Sequence, residues 1–393
     1  MPIEVDLADC LPEDKDALLI GRAWVPEVGP CVAALRDGEL VDLTRQWPTV
    51  SELVNALDIK ALRKAIVAAP AIGRAKDIAK NGELAGRNEK KPYLLAPNDL
   101  QAIKASGVTF VESLLERVIE ERARGNPAAA EAIRRELATA IGQDLKTVVP
   151  GSPTAMALKD ALVAKGMWSQ YLEVGIGPDA EIFTKAPPMA AVGHGAEIGI
   201  HPKSTWNNPE PEVVLVVSAA GKIVGATLGN DVNLRDFEGR SALLLGKAKD
   251  NNASTSIGPF IRLFDGSFTL ATVASADVKL SVLGEDQFRL SGLNSMRKIS
   301  RTPEQLVEAT IGAHHQYPDG FVLFLGTMFA PVEDRDAKGK GFTHKVGDIV
   351  TIETPSLGRL VNRVNLCTEI APWKFGAGAL MRNLAGRGLL PSS

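Results

Sequence analysis

The stretch Asn208-Pro209-Glu210-Pro211-Glu212 runs directly into Val213-Val214-Leu215-Val216-Val217, and no other part of the chain constrains the fold as strongly. Successive side chains of an extended strand point to opposite faces, so Glu210 and Glu212 project from the same face. The apolar run behind them belongs in a core and draws that face toward the interior. Two neighbouring carboxylates in a partly buried place repel each other and lose hydration, at a cost of about several kcal/mol per ion. Either one takes up a proton or a cation sits between them. The alternative is a solvated strand end, and this junction alone leaves both readings open.

The next apolar run tips the balance. Lys222-Ile223-Val224-Gly225-Ala226-Thr227-Leu228 follows a turn at Ser218-Ala219-Ala220-Gly221 and ends in Gly229-Asn230-Asp231. Read as a hairpin partner, it delivers Asp231 to the two glutamates. Three carboxylates without His or Cys make an all-oxygen donor set, which predicts Mg²⁺, with Mn²⁺ or Ca²⁺ possible, rather than Zn²⁺. Glu210, Glu212 and Asp231 as ligands would leave open positions on an octahedral ion, as catalysis requires.

The surroundings exclude several other classes. The 393 residues carry 44 basic and 47 acidic side chains, a net charge of −3, so no basic field awaits nucleic acid or an anionic membrane. Cys10, Cys31 and Cys367 are too far apart to suggest a zinc site or a disulfide framework. No apolar run approaches the roughly 18 residues of a membrane span. Met1-Pro2-Ile3-Glu4-Val5-Asp6 shows neither half of a signal peptide, so the expected location is cytoplasmic.

Residues 1–90 read as a small α/β lobe, with short strands and a helix after Ser51, ending in the polar stretch before Pro92. Residues 91–393 form the second unit. From Gly107 to about Gly166 the reading is helical: Val111, Leu114, Leu115, Val118 and Ile119 make one apolar stripe, with Glu112, Glu116, Glu120 and Arg122 off it, and further helices are expected at about Pro127–Ile141 and Ser152–Gly166. After Gly175, β-branched runs dominate, giving an α+β, mostly β class with inserted helices. Gly175-Ile176-Gly177-Pro178-Asp179-Ala180 formally fits a dinucleotide fingerprint, but no clean strand precedes it, and a loop is expected. His314-His315 reads as a surface pair, and His194, between two glycines, as a residue near the chemistry.

Taken in order, Glu210-Pro211-Glu212, Gly229-Asn230-Asp231-Val232-Asn233-Leu234-Arg235-Asp236, and Lys249 nine residues before Gly258-Pro259 resemble the fumarylacetoacetate hydrolase family. Glu181-Ile182-Phe183-Thr184-Lys185, Gly326-Thr327 and Leu357-Gly358-Arg359-Leu360-Val361-Asn362-Arg363-Val364 resemble further family segments, although Ala180 and Met328 stand where prolines are usual. The resemblance implies a β-roll or sandwich catalytic domain with Glu210, Glu212 and Asp231 as metal ligands. It further implies that Lys249 faces the substrate, that Thr327 holds its carboxylate and that Arg235 braces the site or touches the substrate. Family members commonly form homodimers or homotetramers.

One departure bears on the reaction. Hydrolytic members carry a His and a Glu that activate water, within Gly-x-Asn-Tyr-x-x-His-x-x-Glu. Here the register is Gly107-Val108-Thr109-Phe110-Val111-Glu112-Ser113-Leu114-Leu115-Glu116, so Glu116 remains and Ser113 replaces the imidazole, entering instead as a candidate substrate contact. General-base activation of water loses its usual group. The chain therefore resembles the branch that dehydrates 2-keto-3-deoxy sugar acids. The expected reaction is Mg²⁺-dependent conversion of a 2-keto-3-deoxypentonate to 2,5-dioxopentanoate, a step of pentose sugar-acid catabolism, with Glu181 and Lys249 moving the protons. An acylpyruvate or diketo-acid hydrolase is the alternative within the family, and a non-catalytic binding or scaffold protein the alternative outside it. Glu333–Gly341 is a candidate lid.

Overall fold

The computed structural model describes residues 5–124, 126–140, 148–164, 166–329, 331–337 and 341–390. At its centre is the hairpin expected around residue 220. Strand Pro211–Val217 pairs antiparallel with Ile223–Asp231, setting Glu212 opposite Gly229 and Val214 opposite Thr227. The first strand is buried along its whole length, with Val213, Leu215 and Val217 entering one core and Val214 and Val216 another. Burial on both faces is why this segment reads as a continuous apolar run rather than an alternating one.

An eleven-stranded sheet grows outward from the hairpin. On one side Ile223–Asp231 pairs with Thr255–Leu263, which pairs in turn with Leu19–Val25. Strands of residues 1–90 thus join the same sheet, while Cys10, Leu19, Ala33, Leu40 and Ile78 pack in an apolar cluster with Leu94 and Phe260. On the other side Phe321–Phe324 pairs with Pro211–Val217, Ala102–Ser106 runs parallel to it, and Ile182–Ala186 follows. A second sheet of five strands packs face to face with the first, where Val278, Leu280, Val350 and Ile352 meet Val213, Leu215 and Leu228. Helices Val50–Asn55 and Ile59–Ala68 cover the opposite face.

The helical region comprises Val111–Arg122, Pro127–Ala140, Pro153–Ala164 and Gln170–Ile176, packed around Leu114, Val118, Ile119, Leu162 and Leu172. The second helix's expected end, Ile141, lies outside the described residues. Gly175 belongs to the last turn of Gln170–Ile176, so a helix, not a strand, precedes the formal dinucleotide fingerprint. The helix expected after Ser51 is two helices. Thr49 and Asp58 cap them, and the Ser51 hydroxyl donates to the Asp319 carbonyl instead. Among the described residues no helix is long and apolar enough to cross a membrane.

The crossing point at Gly229 has no room for a side chain, because a Cβ there would overlap the Phe324 ring and a Val214 methyl. Gly229→Ala is expected to lower stability by about 1–3 kcal/mol, the usual range for overpacking a filled core. An unchanged urea midpoint would contradict this packing.

Candidate active site

The hairpin register builds an acidic cluster. The Asp231 amide donates to the Glu210 carbonyl at 3.0 Å, which sets Asp231 opposite Glu210 on the face shared with Glu212. The Glu210 amide donates to Asn230 Oδ1, also at 3.0 Å, and locks the entry to the strand. Ligand oxygens of Glu210, Glu212 and Asp231 lie within 4.8 Å of one another, and all three residues are buried. Burial alone would raise the Glu210 carboxyl, but Arg117 and Lys249 outweigh it and hold it below the usual range. Glu212 is the opposite case. Burial, Asp231 and Glu210 push it well above the usual range, with the Gly326 amide at 2.7 Å as a hydrogen-bond donor. Among the described residues no cationic side chain pairs with Glu212. Three buried carboxylates, one of them without a counter-charge, fit a hard divalent cation.

Cationic side chains hold the other two acids. Lys249, ending the helix Leu245–Lys249, lies 2.5 Å from Glu210 and 3.2 Å from Asp231. Burial would lower its pKa, but Asp231 and Glu210 outweigh that and keep it charged. Lys185 lies 3.2 Å from Asp231 and donates to the carbonyls of Lys249 and Ser254, tying a candidate ligand to the candidate catalytic lysine. Arg117 pairs with both Glu210 and Glu120.

Beside this cluster lies a narrow cavity whose walls include Arg117, Glu181, Phe183, Glu238, Lys249 and Thr327. Glu181 occupies space left by Gly107, where any Cβ would overlap its carboxylate. Burial raises the Glu181 carboxyl despite Lys249 and Arg117 nearby. Glu238 is pushed up to about 7, chiefly by burial. The Thr327 hydroxyl donates to the Phe329 carbonyl at 3.1 Å.

The structure therefore brings Glu181, Glu210, Glu212, Asp231, Lys249 and Thr327 into one neighbourhood. Two expected contacts do not line the cavity. Ser113 spends its hydroxyl on the Thr327 carbonyl at 2.6 Å, and Arg235 sits behind, 2.6 Å from Glu120 and 3.0 Å from Glu116. Asp236 binds Ser204 and the Thr205 amide, so it is not the partner that braces Arg235. His194 is structural. Its Nδ1 accepts from the Val361 amide at 3.2 Å, its Nε2 donates to the Leu7 carbonyl at 2.9 Å, and burial pushes its pKa down to about 4. His314 and His315 are exposed, and no histidine lines the cavity among the described residues. In the expected lid, residues 338–340 lie outside the described residues, while Arg335 is buried and pairs with Asp348 and Asp286.

Arg117, Lys185 and Glu238 were not legible as site residues. Arg117 had a signal, since Ser113, Glu116, Arg117 and Glu120 recur at i, i+3, i+4 and i+7 as a second stripe on the helix. Glu116 and Glu120 do lie off the apolar stripe, but they are buried against the site. The Glu112 side chain lies outside the described residues.

Residues 164–365 match the family model described as fumarylacetoacetate (FAA) hydrolase C-terminal. A 2-dehydro-3-deoxy-D-arabinonate dehydratase of Saccharolobus solfataricus is 33% identical over 184 residues, 47% of this chain and 58% of that protein. A probable 2-keto-3-deoxyxylonate dehydratase of Haloferax volcanii is 29% identical over 198 residues, 50% of this chain and 64% of the other. The matched segment spans less than two thirds of the length of either relative. Among solved structures, a 2-keto-3-deoxy-D-arabinonate dehydratase in its apo form shares the fold with a TM-score of 0.59 at 23% identity, covering 88% of this chain and 99% of that one. The same named enzyme, complexed with magnesium and 2,5-dioxopentanoate, aligns with a TM-score of 0.58 over the same shares and at the same identity.

Two outcomes test this geometry. Lys185→Met takes a donor from the buried carbonyls of Lys249 and Ser254 and is expected to destabilise by about 1–3 kcal/mol, the cost of buried acceptors left short of a partner, read as a lower urea midpoint. For His194, the unfolded chain takes up a proton below the ordinary value of 6.5 but the native state only near 4. Stability present above 6.5 is therefore lost as pH falls through that window, by about 3 kcal/mol in full. Equilibrium unfolding of the unsubstituted protein and His194→Gln from pH 7 to pH 4 should show a shallower slope in the variant. Equal slopes would contradict the buried neutral imidazole.

Proposed function

The chain belongs to the fumarylacetoacetate hydrolase family, and from that premise we propose that it is a Mg²⁺-dependent hydro-lyase acting on a 2-keto-3-deoxypentonate, of the arabinonate or xylonate type, to yield 2,5-dioxopentanoate. One observation carries this reading: Glu210 of the all-carboxylate triad lines one cavity with Lys249 and Glu181, and no imidazole among the described residues lines it. Both dehydratase-named relatives support it.

Glu210, Glu212 and Asp231 would hold the ion. When bound, a divalent cation polarises the 2-oxo group of a 2-oxo acid and acidifies the C3 hydrogens. Glu181 and Lys249, both on the cavity wall, exchange the C3 proton and assist departure of the C4 hydroxyl as water. The resulting C3–C4 alkene loses a C5 proton and regains one at C3, and the C5 enol so formed tautomerises, so that the C5 alcohol ends as the aldehyde of 2,5-dioxopentanoate. A carboxyl raised by burial, as at Glu181, is suited to such exchange. Thr327 and Arg117 supply donors for the substrate carboxylate, and Ser113 steadies Thr327 from behind. Hydrolysis lacks its base, because Ser113 stands in place of the imidazole and Glu116 is taken up by Arg134 and Arg235.

We further propose a cytoplasmic homodimer or homotetramer, with residues 1–90 as a small N-terminal lobe and residues 91–393 as the catalytic domain. Incubation of the Mg²⁺-loaded protein with 2-keto-3-deoxypentonates is expected to yield the semialdehyde. In Glu212→Gln this should fall by at least about a hundredfold, since even outer-shell partners of a metal can cost that much. Pyruvate released from acylpyruvates would overturn the reading in favour of the hydrolase, and silence with both substrates would favour a scaffold.

A further inference from the structure

We infer that Arg134, on the helix Pro127–Ala140, is a positioning residue for the metal ligand Glu210, acting through a relay of buried charges; this rests on the reading of the acidic triad as a metal site. The links are continuous. Arg134 grips Glu116 through Nε and Nη2, both at 2.8 Å. Glu116 Oε2 also accepts from Arg235 at 3.0 Å, and Arg235 Nε donates to Glu120 Oε1 at 2.6 Å. Glu120 Oε2 accepts from Arg117 Nη1 at 2.6 Å, and Arg117 Nη2 donates to Glu210 Oε1.

Each carboxylate in this chain is shared between two cationic side chains. A carboxylate deprived of one partner inside the protein becomes an undercompensated buried charge, so its remaining guanidinium is drawn toward it. Displacement therefore passes from pair to pair rather than dissipating into solvent. The side chains of Arg235 and Glu120 are 1% exposed, whereas that of Arg134 is 28% exposed and forms the outer end. Its two-pronged grip fixes the plane of the Glu116 carboxylate, which a lysine cannot do. Arg235 is held from a second side by the Trp206 ring, 4.5 Å from its guanidinium carbon, so it transmits position rather than swinging freely.

The sign of the effect separates position from charge. Removing a distant positive charge would by itself tighten binding of a cation, whereas losing the position of Glu210 loosens it. The test is Mn²⁺ affinity by electron paramagnetic resonance on the full chain, with thermal melts alongside. Arg134→Gln is expected to bind Mn²⁺ about tenfold more weakly, the lower end of what outer-shell partners contribute. Arg134→Lys should lose less, and Glu131→Gln, which removes only the exposed partner of Arg134 Nη1, should match the unsubstituted protein. Unchanged or tighter Mn²⁺ binding in Arg134→Gln would overturn the relay, even with a lowered melting temperature. If that variant does not fold, Arg134→Lys decides in the same way. No Mn²⁺ binding by the unsubstituted protein would overturn the metal reading, and the relay with it. Binding of unchanged affinity in Arg134→Gln, with binding lost in Glu212→Gln, would sink the relay alone.

Discussion

Neutralisation of buried carboxylate charge is the constraint on which this structure turns. Along the line Arg134, Glu116, Arg235, Glu120, Arg117, Glu210, Lys249, Asp231 and Lys185, charges alternate in sign, and an ion pair joins each residue to the next. Buried ions of one sign could not be tolerated at this density, because each costs several kcal/mol unless paired. Glu212 stands beside the line without a cation of its own among the described residues, and its raised pKa is the direct expression of that imbalance. A divalent ion is the simplest partner for the surplus.

The scaffold makes such a density possible. A hairpin buried on both faces fixes the register of Glu210, Glu212 and Asp231 through backbone hydrogen bonds rather than through side-chain flexibility. Glycines are then placed where the packing demands them. Gly229 admits the Phe324 ring beside the triad, and Gly107 admits the Glu181 carboxylate into the cavity wall. The helices surrounding the site contribute cations as well as apolar cover, since Val111–Arg122 buries Leu114, Val118 and Ile119 on one side and Ser113, Glu116, Arg117 and Glu120 on another.

Much of this could be read in advance. The hairpin, its carboxylates and Lys249 were legible because period-two alternation and short turns are local, and because a repulsive Glu-x-Glu entering an apolar strand demands an explanation. Ser113 and Arg235 lie in the layer behind the cavity, where Arg235 braces Glu116 and Glu120 as expected of it and Ser113 holds the Thr327 carbonyl. A residue's position along a motif does not say whether its polar atoms face the cavity or the backing layer. His194 looked mobile between two glycines, yet a buried pair of backbone partners holds it in the core. Lys185 was legible only as part of the family segment Glu181–Lys185, and Glu238 had no sequence signal, because an isolated charge is most often solvated.

The sequence by itself determined the donor chemistry and the strand register, since both depend on residue type and spacing over a few neighbours. Only the tertiary structure decided which charges face one another. Arg117–Glu120 is a local pair on one helix, but Arg134, Arg235, Lys249 and Lys185 meet carboxylates from other segments, and only the packing of the elements selects each of those. That selection is long-range electrostatics in a dry interior, where burial sets the cost of every unpaired ion, and burial is a property of the fold rather than of any local stretch.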